Sequence, residues 1–158
     1  MGNIEKIESF KVDHRYIVPG VYLSRTDGEV RTFDLRFKKP NCGDYLSNLE
    51  MHSVEHLFAT YVRSFGGDKV LYFGPMGCRT GFYLLLRDCE DGQVRALIKR
   101  TLEAIVNEAD EMFGQDEIQC GNYKELSLEA GKKCCEGYLR VLDFERMNFE
   151  YPKGESEE

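Results

Sequence analysis

His52 and His56 stand one helical turn apart in Met51-His52-Ser53-Val54-Glu55-His56-Leu57, with Glu55 between them. Apolar residues at Val54, Leu57, Phe58, Tyr61, Val62 and Phe65 have the spacing of an amphipathic helix. At the α-helical rotation per residue the two imidazoles fall within roughly 40° of each other, nearly opposite that apolar stripe. Two imidazoles so placed can hold one metal ion, and a carboxylate beside them can carry protons. A catalytic metal site typically has three protein ligands, so one more is needed from elsewhere in the chain.

Two cysteines are candidates for that third ligand. Cys120 precedes Gly121 in a polar loop, where the backbone can bend close to an ion, and a thiolate beside two imidazoles suits zinc or ferrous iron. Cys78 lies between Gly77 and Arg79 in a glycine-rich turn, where a neighbouring cation favours the thiolate. Spacing alone does not choose between them. The other four cysteines, Cys42, Cys89, Cys134 and Cys135, read as ordinary packed or loop thiols. His14, taken by itself, reads as a surface histidine.

These groups need a scaffold. Val30–Phe37 alternates Phe33, Leu35 and Phe37 with Thr32, Asp34 and Arg36, which predicts a half-buried antiparallel strand. Asp27-Gly28 marks a tight hairpin before it. Tyr16–Val18 and Val21–Leu23 read as strand interrupted at Pro19-Gly20, after a mixed, partly extended segment over residues 4–12. The histidine helix spans about 45–65 and stops at Gly66-Gly67. Val70–Phe73 and Phe82–Leu86 read as further strands. A long helix carries its periodicity from Val94 to Phe113, with Gly114 as its stop. Ser127 is positioned as the N-cap of a last helix through about Leu142. The fold class is α+β: an antiparallel sheet of about four strands with helices packed mainly on one face.

The 158 residues, 42% hydrophobic and 31% charged, are enough for one domain with a real core, assigned to residues 1–151. The polar stretch 152–158 is expected to be disordered. A net charge of −7 argues against nucleic acid as a partner. No apolar run is long enough to span a membrane, and the first residues lack a secretory pattern. With no export signal and no C-x-x-C pair, reduced cysteines in the cytoplasm are expected.

Five ordered blocks carry a resemblance. They are Glu8-Ser9-Phe10-Lys11-Val12-Asp13-His14; Phe33–Phe37 with Pro40-Asn41; His52–Leu57; Pro75-Met76-Gly77-Cys78-Arg79-Thr80-Gly81-Phe82-Tyr83; and Gln119–Tyr123 followed by Ser127–Ala130. Together they resemble the S-ribosylhomocysteine lyase (LuxS, autoinducer-2 synthase) family. The resemblance implies that His52, His56 and Cys120 bind the metal, Fe2+ in the native family enzyme, with Zn2+ or Co2+ able to substitute. It implies that Cys78 and Glu55 are the acid–base pair and that Ser9, His14 and Arg36 lie near the substrate. It further implies a homodimer with active sites at the interface, and cleavage of S-ribosylhomocysteine to homocysteine and 4,5-dihydroxy-2,3-pentanedione. Tyr72 stands where the family usually has aspartate, Lys38 where a cysteine is common, and residues 44–51 diverge. The H-x-x-E-H motif alone is shared with inverted zinc peptidases, the competing enzyme reading. A non-catalytic metal-binding module is the competing reading outside catalysis.

Overall fold

The structure, a computed structural model, describes residues 3–153. Its elements are α1 (Glu8–Lys11), β1 (Gly20–Asp27), β2 (Val30–Arg36), α2 (Asn48–Gly66), a 3-10 turn (Gly67–Lys69), β3 (Val70–Pro75), β4 (Gly81–Arg87), α3 (Asp91–Glu108) and α4 (Leu128–Val141). The four strands form one antiparallel sheet in the order β1-β2-β4-β3. This is the α+β architecture expected from the sequence. The β1–β2 hairpin turns through Gly28, whose φ of 61° is the left-handed conformation that glycine adopts without strain.

One face of the sheet is apolar. Leu23, Phe33, Leu84 and Phe73 pair across all four strands. Phe33 and Leu84 are fully buried, as are Val54, Leu57, Phe58 and Val62 of α2 and Ile98, Leu102 and Ile105 of α3. All belong to one hydrophobic cluster. Each such side chain contributes about 1.5–3 kcal/mol by leaving water, offset by the ordering of the chain. Helix α4 approaches α2 closely at Gly131: a Cβ there would lie 2.6 Å from Leu57 Cδ1. Only glycine permits that spacing.

The other face differs from a solvent-exposed polar surface. Asp34 and Arg36 are 1% and 3% exposed, so β2 is buried on both sides rather than half-buried. Two causes combine. Arg36 places its guanidinium fork on both carboxylate oxygens of Asp34, at 3.0 and 2.6 Å, which satisfies the charges. The C-terminal segment then covers this face: Tyr151 stacks on Tyr22 and donates its hydroxyl to Asp34 Oδ2 at 2.7 Å, while Phe149 meets Phe33 edge-on on the opposite, apolar side. The expected disordered tail falls mostly on residues 154–158, outside the described residues.

Boundaries shift for identifiable reasons. Residues 16–18 are not strand, and β1 starts only at Gly20. The leading segment contains the one-turn helix α1. Helix α2 starts at Asn48, not near 45, because Ser47 caps it: Ser47 Oγ accepts from Glu50 N–H at 3.1 Å while Glu50 Oε1 accepts from Ser47 N–H at 2.8 Å. Helix α3 ends at Glu108, well before Gly114. Lys132 of α4 donates to the Ala109 carbonyl at 2.6 Å, supplying a partner that the continuing helix would have provided. Phe113 instead packs edge-on against Tyr61 of α2. Among the described residues no helix is long and apolar enough to cross a membrane.

Candidate metal centre and thiol pocket

Helix α2 turns Val54, Leu57, Phe58 and Val62 into the core and thereby leaves His52 and His56 on another face, half-buried. Each imidazole is tethered through Nδ1 to a backbone carbonyl. His52 Nδ1 lies 2.7 Å from the Glu125 oxygen, and His56 Nδ1 lies 2.7 Å from the Phe113 oxygen. A carbonyl can only accept, so both Nδ1 atoms donate, and a neutral ring held this way presents its Nε2 lone pair.

Cys120 Sγ lies 3.3 Å from His52 Nε2. One ligand atom from each of His52, His56 and Cys120 falls within 4.8 Å of the others. The early end of α3 is what makes this possible. Freed from the helix, residues 109–127 wrap across α2 and deliver the Phe113 carbonyl, the Cys120 thiol and the Glu125 carbonyl to its histidine face. Gly114 is part of the fit: its φ is 66°, and a Cβ there would meet His56 Nδ1 at 3.1 Å. The Asn122 N–H donates to Cys120 Sγ at 3.4 Å. Two neutral imidazoles with oriented lone pairs and one thiol fit a divalent transition metal ion, with zinc, iron and cobalt all compatible with the donor set. Glu55, on the same helix, is half-buried.

A second cluster forms at the end of the sheet. His14, Arg36, Tyr45, Cys78, Arg79 and Thr80 are among the residues lining a cavity of about 260 Å3. Cys78 is exposed in the β3–β4 turn, beside Arg79, whose φ is 62°. Its sulfur lies 3.1 Å from Thr80 Oγ1. His14 is half-buried, with Nδ1 2.9 Å from the Val12 oxygen. Ser9 lies near the hydroxyl of Tyr83. The structure therefore brings His52, His56 and Cys120 into one group, and His14, Arg36 and Cys78 into another. None of the three metal-type residues lines the Cys78 cavity.

Sequence reasoning missed the two carbonyl tethers, because a backbone acceptor leaves no signature in residue type. It also missed Asp34 and Tyr151 behind Arg36: the alternation of β2 put Asp34 and Arg36 on the polar face, and Tyr151 lies far along the chain. The divergent positions find local partners. Lys38 pairs with Asp44 at 3.2 Å, the Ser47–Glu50 capping box falls inside the divergent stretch, and Tyr72 lies across Gly74.

Cys134 and Cys135 do pack. Burial raises the Cys134 thiol to about 12, with the Glu50 carboxylate, 3.1 Å away, adding to the shift. Burial likewise drives Cys135 well above the ordinary thiol range. All six cysteines are free thiols.

An antiparallel sheet backed by helices, carrying a three-donor His/His/Cys cup and a separate thiol pocket, defines a small α+β protein equipped for a mononuclear metal. The sequence pattern of S-ribosylhomocysteinase (LuxS) matches residues 7–148, and the chain belongs to that family. It is 43% identical over 156 residues to the S-ribosylhomocysteine lyase of Finegoldia magna, covering 95% of this chain and 100% of that protein. It is 38% identical over 157 residues to the protein of the same name from Borreliella burgdorferi, covering 94% and 100%. For that of Clostridium beijerinckii the identity is 37% over 158 residues, covering 94% and 99%.

Proposed function

We propose that this protein is an S-ribosylhomocysteine lyase, releasing homocysteine and 4,5-dihydroxy-2,3-pentanedione from S-ribosylhomocysteine. The observation that carries the reading is the His/His/Cys cup in a chain whose relatives, at 37–43% identity over nearly their full length, bear that activity in their names. His52 Nε2, His56 Nε2 and Cys120 Sγ would hold the ion, which we take to be Fe2+, with Zn2+ or Co2+ able to replace it. When bound, such an ion supplies Lewis-acid polarisation of a substrate carbonyl.

The remaining chemistry belongs to side chains. The carbon bearing sulfur in the sugar is not activated, so the carbonyl must first migrate from C1 to C3. Cys78, as thiolate, takes a proton from the carbon beside the carbonyl and returns one to the neighbouring carbon, and two such shifts complete the migration. Glu55 then assists the proton transfers of β-elimination, in which the C–S bond breaks and homocysteine leaves with its electron pair. No net oxidation occurs. Ser9, His14 and Arg36 bind and orient the sugar.

Because the cup and the Cys78 cavity sit on different elements of one chain, we infer a homodimer in which the cup of one subunit faces the Cys78 cavity of its partner. Exposed Ile4, Ile7 and Phe10 of the N-terminal segment provide apolar surface for such contact. We further take residues 1–151 as a single domain and its place of action as the cytoplasm, where thiols stay reduced.

The test is a free-thiol assay with S-ribosylhomocysteine on iron-loaded protein prepared without oxygen. Homocysteine release at catalytic rates is the expected result; metal-loaded protein that releases none would overturn the reading. Sedimentation of the same sample at micromolar concentration should give a dimer mass.

A further inference from the structure

The Cys78 cavity has a back wall built on Thr80. Thr80 is 1% exposed, and its hydroxyl lies between two partners. Arg36 Nη1 donates to Thr80 Oγ1 at 2.9 Å, and Cys78 Sγ lies 3.1 Å from the same oxygen. Arg36 is itself fixed, with Nε and Nη2 on Asp34. The Tyr151 hydroxyl donates to Asp34 Oδ2 at 2.7 Å. Five side chains thus form one hydrogen-bonded chain from the C-terminal segment to the thiol: Tyr151, Asp34, Arg36, Thr80, Cys78. The Thr80 carbonyl also accepts from the N–H groups of Phe37 and Lys38, both at 2.9 Å, so the hydroxyl is held by backbone as well.

The polarity of this chain follows from its donors. A guanidinium has no lone pair to offer, so Thr80 must accept from Arg36. A hydroxyl has one proton, and with Arg36 on its lone pair that proton is free for the sulfur. When Cys78 is ionised, the sulfur can only accept, and Thr80 donates to it. A hydrogen bond to the charged form favours that form. We propose that Thr80 is a positioning residue for Cys78, its hydroxyl oriented by Arg36 toward the ionised sulfur, and that Tyr151 locks the far end of this chain through Asp34.

Tyr151 lies beyond residues 7–148, the stretch matched to the family. The C-terminal segment is therefore linked to the thiol through Asp34, Arg36 and Thr80, as well as covering the sheet. Other titratable or charged groups around the cavity are the guanidinium of Arg36 from β2, the ring of His14, the phenol of Tyr45 and Arg79 of the same turn, with the phenol of Tyr83 also within electrostatic reach of the sulfur. None of the residues lining the cavity carries a carboxylate. The proposal rests on the assignment of Cys78 as the acid–base group.

The test compares Thr80→Val, Thr80→Ser and Tyr151→Phe with the wild-type holoenzyme. One readout is the rate of iodoacetamide alkylation at Cys78 from pH 6 to 9, followed by peptide mass spectrometry. The second is kcat and KM for thiol release, alongside metal content. Thr80→Val should slow alkylation at pH 7 by about tenfold and lower kcat by at least as much, the size of a lost hydrogen bond to a charged group. Its KM should stay within about twofold and its metal content should not change. Thr80→Ser should restore both rates to within about threefold of wild type, and Tyr151→Phe should fall between them. Wild-type alkylation and turnover in Thr80→Val would overturn the proposal, as would a Thr80→Ser variant no better than Thr80→Val. If Thr80→Val does not fold, Tyr151→Phe decides alone, since it leaves the turn untouched: wild-type alkylation there overturns the coupling. Alkylation requires no substrate, so it judges the positioning even where absent thiol release would defeat the proposed activity.

Discussion

His56 Nδ1 and the carbonyl oxygen of Phe113 are 2.7 Å apart, joining the middle of α2 to a residue five positions past the last residue of α3. The bond fixes the tautomer and the tilt of a ring that would otherwise rotate freely, and it exists only because α3 stops early. Interactions of this kind, one step behind a ligand atom, typically change metal affinity by about 10–100-fold when broken.

Gly114→Ala should therefore weaken metal binding by about tenfold or more. The new methyl would press on the His56 ring from a backbone position with φ of 66°. Competition against a chromophoric chelator measures this, with circular dichroism as a control for folding. Unchanged affinity would show that the Phe113–Gly114 corner does not set the ring.

Replacing a ligand and replacing a proton carrier should have separable effects. Cys120→Ala should lose bound metal. Cys78→Ala and Glu55→Ala should keep it and lose turnover by about 10²–10⁴-fold, the range for a positioned acid or base. Metal analysis and thiol release on the same samples decide it. Full metal content in Cys120→Ala would point to a different thiol, and wild-type turnover in Cys78→Ala would remove that residue from the chemistry.

Asp34→Ala should destabilise the fold by about 3–5 kcal/mol, because it strands the Arg36 guanidinium, 3% exposed, without its counter-ion. Replacing both residues, as in Asp34→Leu with Arg36→Met, should cost much less while still abolishing activity. Urea unfolding of the single and double variants provides the comparison. A double variant as unstable as the single one would mean that packing, rather than the unpaired charge, dominates.

Alkaline pH should destabilise the protein. The Cys134 thiol ionises near 9.0 ordinarily and near about 12 when folded. Below about 9 both states hold the proton and the contribution is complete; between 9 and 12 the unfolded chain releases a proton that the folded chain retains, so stability falls as pH rises. Burial pushes the phenols of Tyr138 and Tyr151 up as well, which acts in the same direction. Melting temperatures measured from pH 7 to 11 should decline above about 9, and less steeply in Cys134→Ser. An identical slope in the variant would exclude Cys134 from the effect.

The sequence made the histidine helix legible because its periodicity, its glycine stop and its ligands all belong to one contiguous segment. The β1–β2 turn and the Ser127 cap were readable for the same local reason. Failures occurred where a distant segment intervened. Met112 and Phe113 continue the rhythm of α3, yet Lys132 takes the Ala109 carbonyl and Tyr61 takes the Phe113 ring. Asp34 and Arg36 alternate like surface residues, yet Tyr151, far along the chain, seals them from water. Spacing left Cys78 and Cys120 equivalent as third ligands; the fold separates them by placing only Cys120 beside the imidazoles.

The connection 109–127 contains no helix or strand, yet it supplies the third donor and both ring tethers. An ion held by His52, His56 and Cys120 would rivet this connection to α2. Stripping the ion would then do more than stop turnover: it would release a long unstructured span to any passing protease. Loss of activity and exposure of this span would then accompany the same event.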